Sequence, residues 1–335
     1  MIVLEKNFDR PYFLKSGNCF FSRFANTMFK EEWNGLWMKN FKFIDYFAFK
    51  INNEWLSWEN IEKFVFEEKI AKSYFKLKDQ KVIEKIYLIQ NTLFIEVSCE
   101  KESEILIEIG INFRHFNENK EKEYKIKNDD KVIVSYNEKF LCLTSEPIGN
   151  ITNYFYKEHY PSQKRFKIFV VWYKVNSNQA KFKISVGSEI EALFPSEKEE
   201  EKTYFEFYCD DNKITELAKI SIENIKFLIF DSEFFSGLPY SPFFEPKKFL
   251  KSISGILYSG YFEEAKKCIL KVFDSLTNDL ETQILLINAL WKYYNHTGDF
   301  EIIRNKKVEI KNIIENVINK FENTESEEFQ EFLFN

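Results

Sequence analysis

The sequence changes hydrophobic period near residue 211, and that switch constrains its fold more than any other feature. Before it, apolar residues recur at every second position: Ile105, Ile107, Ile109, Ile111 and Phe113 alternate with Leu106, Glu108, Gly110 and Asn112, and Leu93, Ile95, Val97 and Cys99 with Phe94, Glu96 and Ser98. Period two marks strands whose alternate side chains face a core. Phe47, Phe49 and Ile51 run into Asn52-Asn53, and Val132, Val134 and Tyr136 into Asn137-Glu138, which predicts two hairpins. Further strands are expected over Lys167–Val175, Lys181–Val186 and Thr203–Cys209. So many strands joined by short polar turns predict a large antiparallel sandwich of two sheets over residues 1–211.

Residues 212–335 read as helices. Ile214, Leu217, Ala218, Ile225, Leu228 and Ile229 form one stripe behind the capping candidates Asp211 and Asn212. Phe249, Leu250, Ile253, Ile256 and Leu257 mark a second helix, with Gly260 placed to end it. Ala265, Cys268, Ile269, Val272, Phe273 and Leu276 mark a third. A fourth carries Ile284, Ile287, Leu290, Trp291 and Tyr294 and stops near Gly298, and a fifth, opened by Asp299, carries Val308, Ile310, Ile313, Ile314, Val317 and Phe321. Successive helices with short connections are expected to form hairpins. The tail beyond Glu322 mixes acids with Phe329, Phe332, Leu333 and Phe334, as a frayed end or a docking peptide would.

Composition narrows the functional classes. The 335 residues hold 38 Phe but only nine Gly and seven Pro, so few backbone positions are expected to rely on positive φ. No Gly-x-Gly-x-x-Gly, P-loop or Gly-x-Ser-x-Gly pattern occurs, so neither a nucleotide cradle nor a serine-nucleophile elbow is expected. The formal net charge of −6 disfavours nucleic acid, which is held by clustered Lys and Arg. Cys19, Cys99, Cys142, Cys209 and Cys268 lie far apart with no Cys-x-x-Cys, and His115, His159 and His296 lack partners at ligand spacing. Reduced core thiols in a cytoplasmic protein follow, with no metal, no cofactor and no disulfide expected. No apolar run approaches about 18 residues, so no secretion signal or membrane span is expected.

Two stretches resemble the glycogen-debranching, amylo-α-1,6-glucosidase family of archaea and bacteria. The first carries Gly35-Leu36-Trp37, Phe47-Ala48-Phe49-Lys50, Glu54-Trp55-Leu56-Ser57 and Ile109-Gly110-Ile111-Asn112-Phe113-Arg114. The second carries Ser236-Gly237-Leu238-Pro239-Tyr240, Ser254-Gly255-Ile256-Leu257, Gly260-Tyr261-Phe262-Glu263-Glu264-Ala265, Ile287-Asn288-Ala289-Leu290-Trp291-Lys292-Tyr293-Tyr294 and Thr297-Gly298-Asp299. The resemblance implies an N-terminal β-sandwich followed by helical hairpins like an incomplete (α/α)6 toroid, a protein of α-glucan metabolism, and glycogen or starch as the glycan. The polar motifs depart from the family. Its Arg-x-Tyr-His-Gly becomes Glu31-Glu32-Trp33-Asn34-Gly35, its Asn-Gly-x-Gly turn becomes Gly17-Asn18-Cys19-Phe20-Phe21, and its Gly-Arg-Asp becomes Pro246-Lys247-Lys248.

The family opens its fourth toroid helix with Asp-Ala, where the Asp serves debranching relatives as the acid; this chain has Glu281-Thr282. The resemblance thus makes Glu281 the candidate catalytic residue. An inverting glycosidase also needs a second carboxylate on the opposite sugar face, which the family takes from a half of the toroid not matched here. Asp274 and Asp279 lie near Glu281 in sequence, and Glu281 also suits a plain helix N-terminal role. Trp33, Trp37, Trp55 and Trp58 are candidate platforms for sugar rings, against the alternative that they fill the core. Three readings stand: a glycan-binding or regulatory partner lacking self-sufficient hydrolysis; an active α-1,6-glucosidase completed by another chain across the open helical edge at Ile313, Ile314, Val317, Ile318 and Phe321; and a structural protein that keeps only the scaffold.

Overall fold

The computed structural model describes all residues except 68, 116, 117, 119–121, 129, 130, 156–168, 189–208, 231, 232, 238–240, 277 and 323–335. His159, the charge run 197–202, most of the strand expected over 203–209 and the tail lie outside the described residues. The chain divides into two compact units, Met1–Glu200 and Glu201–Asn335.

In the first unit, fifteen strands join into one sheet, and every pairing is antiparallel. The sequence predicts two separate sheets; the structure instead curls a single sheet over its own core. Two long strands make this possible. Thr92–His115 pairs through its first half with Lys81–Ile89 and through its second half with Phe41–Ile51. Phe169–Gly187 runs antiparallel to it along nearly the whole length. The segments read from sequence as four strands are therefore two. The polar run that looks like a turn, Glu100-Lys101-Glu102, is an exposed irregularity between the pairs Ser98–Gln179 and Ser103–Ser177. Hydrogen bonding resumes on either side of it, so the sheet bends without ending.

The inward faces are those the alternation picks out. Ile105, Ile107, Ile109, Ile111 and Phe113 share one core with Leu93, Ile95, Val97, Phe47, Phe49, Ile51, Phe182 and Ile184. Each such burial contributes about 1.5–3 kcal/mol. Both predicted hairpins form: Asn52-Asn53 and Asn137-Glu138 take positive φ at both central positions, as a type I′ turn requires. Positive φ is commoner than the glycine count suggests. Nine described non-glycine residues adopt it, four of them asparagine, whose short amide tolerates the left-handed region.

The second unit holds six helices among the described residues: α1 (Asn212–Leu228), α2 (Pro246–Tyr258), α3 (Phe262–Asp274), α4 (Leu280–Thr297), α5 (Glu301–Asn305) and α6 (Lys307–Glu322). Asp211 caps α1 by accepting from the Lys213 amide at 2.8 Å. Pro246 opens α2 where its missing N–H costs nothing. Gly298 ends α4 in the left-handed conformation (φ 69°), its amide donating to the Tyr294 carbonyl. The predicted stripes of α2 and α3 are buried apart from Leu276, which lies past the end of α3 and is partly buried.

Four predictions change. A short antiparallel sheet, Ile229–Phe230, Glu233–Gly237 and Ser241–Phe244, follows α1 and takes in Ile229, which the stripe places on the helix. The single fifth helix is split at Lys306 into α5 and α6. α1 has no fully buried residue: Ile222, Ile225 and Leu228 pack on the helical core, while Ile214, Leu217 and Ile220 are exposed. α4 is rotated by about one position, burying Thr282, Gln283, Leu286, Ala289, Leu290 and Tyr293 and leaving Trp291 63% exposed. Apolar residues occur on several faces of α4, so its sequence permits more than one rotation, and packing against α2 and α6 selects this one.

Candidate functional site

Glu281 lies in the first turn of α4, where the cap residue Asp279 precedes it. One Glu281 oxygen meets Lys251 Nζ at 2.8 Å and the other meets Lys247 Nζ at 2.9 Å. Lys247 also reaches Asp279 at 3.0 Å. Lys247 opens the basic pair Lys247-Lys248 just after Pro246, at the start of α2. Lys247 and Glu281, 34 positions apart in the chain, thus meet in space, the first supplying a cation that holds the second. The hydrogen bonds from Lys251 and Lys247 lower the Glu281 pKa. Asp279 is pushed down to about 2, first by the Thr282 hydroxyl and then by Lys247. The cluster holds two ionised carboxylates and two ammonium groups at a half-exposed helix end.

The Asp279 cap gives this end a pH signature. Its folded pKa is depressed, so its contribution is present above the unfolded value of about 3.9 and is lost as pH falls through about 2. Asp279→Ala is expected to cost about 1 kcal/mol at neutral pH and much less near the acid limit. Urea unfolding of both proteins at the two pH values checks this; an equal loss at both would remove the ionised cap as its source.

The four tryptophans do not form one platform. Trp37 is fully buried, stacked on Phe20 with centroids 5.8 Å apart, and its indole N–H donates to the Trp33 carbonyl at 3.0 Å. Trp33 is buried against Phe13 and Phe24. Trp55 is half-buried beneath the Lys50 ammonium, and Trp58 is 55% exposed. Two are core residues, Trp55 packs against the same core, and Trp58 alone of the four is largely exposed.

Sequence reasoning missed the polar groups set into the sheet. Glu108, fully buried, accepts from the Tyr46 hydroxyl at 2.7 Å and from the Trp172 indole N–H at 2.5 Å. Lys42 pairs with Asp45 and donates to the Glu32 carbonyl at 2.7 Å, and Asn112 donates to Asp45 at 2.8 Å. Arg114 reaches the same Glu32 carbonyl. This network holds the segment Glu31–Gly35 through the Glu32 carbonyl. Lys42, Asp45 and Glu108 are thus spent on holding turns and strands together. The available signal was a charged residue within an isoleucine run, Glu108 and Arg114 above all.

Among the described residues no cluster of three or more His, Cys, Asp or Glu is placed to hold a metal ion, and no helix is long and apolar enough to cross a membrane. The cysteines are free, and only Cys209 is exposed. Burial pushes the thiols of Cys99 and Cys142 up to about 11 and that of Cys268 up to about 12, which keeps them protonated and unreactive.

No family model matches the sequence, and no curated protein is significantly similar to it. Among solved structures, the chain is similar to one assigned as a kojibiose phosphorylase from the human microbiome, with a TM-score of 0.52 at 11% identity. The likeness is one of fold. It covers 89% of this chain and 55% of the other, so the chain spans about half that protein's length. A chain assigned as an aldose 1-epimerase from Escherichia coli K12 aligns at 6% identity over 53% of this chain and 99% of its own, but its TM-score of 0.37 carries no argument. The fold is therefore of a kind found in a carbohydrate-active enzyme, and nothing in the likeness singles out the debranching family or a closed toroid.

Proposed function

We propose that this protein binds an α-glucan or oligosaccharide in carbohydrate metabolism and does not hydrolyse it unaided. The state of Glu281 carries the non-hydrolytic part, and the likeness of fold to a chain assigned as a kojibiose phosphorylase supports the carbohydrate part. A general acid must hold its proton at working pH, which in glycosidases is achieved by raising a carboxyl pKa. Glu281 is lowered instead, held ionised by Lys251 and Lys247. A second carboxylate, Asp279, is bound to the same Lys247.

Titration calorimetry with maltooligosaccharides is expected to show binding, and the protein alone is expected to release no glucose from a branched α-glucan. Glucose release that Glu281→Gln abolishes would overturn the non-hydrolytic part. No heat at millimolar ligand would remove the glycan part and leave a scaffold protein.

A second reading is favoured by the apolar surface of α6. Ile313 is buried and Val317 packs on the helical core, but Ile314, Ile318 and Val308 are exposed; the Phe321 side chain lies outside the described residues. Another chain covering this edge would complete a toroid and a working α-1,6-glucosidase. Native mass spectrometry tests it: a strictly monomeric protein rules it out.

A further inference from the structure

One face of the β unit leaves a row of side chains open. Lys63, Tyr74, Ile83 and Ser98 stand directly opposite one another across four neighbouring strands. They lie in a groove of about 480 Å³ whose rim carries Glu62, Glu100 and Lys81. That volume falls within the range of about 300–1,000 Å³ typical of small-molecule clefts. Ile83 is 40% exposed and Tyr74 half-exposed, so apolar surface is offered to whatever enters.

The adjacent row on the same face shows what a finished surface looks like. There, Tyr87 and Lys85 both donate to Glu96, at 2.7 and 3.1 Å, Tyr87 stacks on Phe94 at 5.0 Å, and Lys181 covers the Phe94 ring. Polar tips and rings satisfy one another. In the groove this happens only in part: Lys63 pairs with Glu5 at 3.7 Å and the Glu100 carboxylate accepts from the Lys81 backbone amide at 3.0 Å, while the Glu62 carboxylate, the Lys81 ammonium and the Tyr74 hydroxyl make no hydrogen bond or ion pair with any described residue.

We propose that this groove is the glycan subsite of the protein, an assignment that rests on the glycan-binding reading above. A pyranose ring has an apolar C–H face that suits Tyr74 and Ile83, and hydroxyls that both donate and accept. Free carboxylate, ammonium and phenol groups satisfy both functions. The charges lining the groove are Glu5, Glu62, Glu100, Lys63 and Lys81, a slight acidic excess that selects a neutral sugar over a phosphorylated one.

Calorimetry with maltotetraose on wild type, Tyr74→Ala and Glu62→Gln tests the assignment, with thermal melts as the folding control. Loss of the ring is expected to weaken binding roughly tenfold, and Glu62→Gln, which keeps shape and packing, to weaken it several-fold. Wild-type affinity in both variants overturns the groove and leaves the glycan-binding reading intact. No binding by wild type overturns both. Tighter binding of glucose 1-phosphate than of glucose overturns the assignment of a neutral ligand.

Discussion

Gly35→Ala is expected to cost about 4 kcal/mol or more of folding stability, in the range reserved for steric damage to a core. Gly35 has φ of 116°, and a Cβ there would lie 1.9 Å from the Ile44 carbonyl oxygen and 3.0 Å from Lys42 Cε. The lysine tail can move; a backbone oxygen cannot rotate away. Ile44 sits at an irregularity of the strand Phe41–Ile51, where the next residue, Asp45, anchors the buried Lys42 and Asn112. Relief of the clash therefore displaces the polar network as well as the strand. Gly17 is the control, since it has φ of 51° with nothing within 4 Å of a Cβ. Gly17→Ala pays only the left-handed conformation, about 1–2 kcal/mol. Urea unfolding of the two variants should separate them clearly, and equal losses would refute the close approach.

Arg23→Met is expected to cost about 3–5 kcal/mol, because it strands a buried carboxylate. The Arg23 guanidinium, 1% exposed, bonds both oxygens of Glu84 and donates through Nε to the Tyr12 hydroxyl at 2.8 Å. The Phe47 ring packs against it at 5.1 Å. Once the cation is gone, Glu84 has lost its counter-charge inside the unit. The double variant Arg23→Met/Glu84→Leu should recover most of the loss, because two apolar side chains of similar volume need no counter-charge. A double-mutant cycle by urea unfolding measures the coupling. Additive losses would mean that the pair is solvated, contrary to its burial.

These positions show where the sequence was readable and where it was not. Alternation identified the inward face of Ile105–Phe113, and paired asparagine or Asn-Glu steps located both hairpins, because a strand face and a turn are set by neighbours in the chain. Asp211, Gly260 and Gly298 marked helix ends for the same reason. The runs Leu93–Cys99 and Ile105–Phe113 read as two strands but are one, continuous through Glu100-Lys101-Glu102. The polarity of that link is that of a turn, and only the pairing of Ser98 with Gln179 and Ser103 with Ser177 shows the strand continuing.

The site was less legible. Glu281 is singled out only by the resemblance to the debranching family, and Lys247 and Lys251, which hold it, lie on another helix. Trp37 and Trp58 are the same residue type in similar contexts, yet one is fully buried and the other 55% exposed. Tyr74, Glu62 and Lys81 carried no motif at all.

The sequence alone determined the division into a strand-rich part and a helical part, the core faces of most elements and many of their ends. Those follow from side-chain period and backbone preference, which act over a few residues. Only the tertiary structure decided that two long strands run through a single sheet, that Glu281 is held ionised between two lysines, and that one cross-strand row is left more open than the row beside it. Each depends on residues separated by about nine positions or more arriving within about 3–5 Å of one another, the range over which hydrogen bonds and ring contacts act, and no local pattern encodes that arrival.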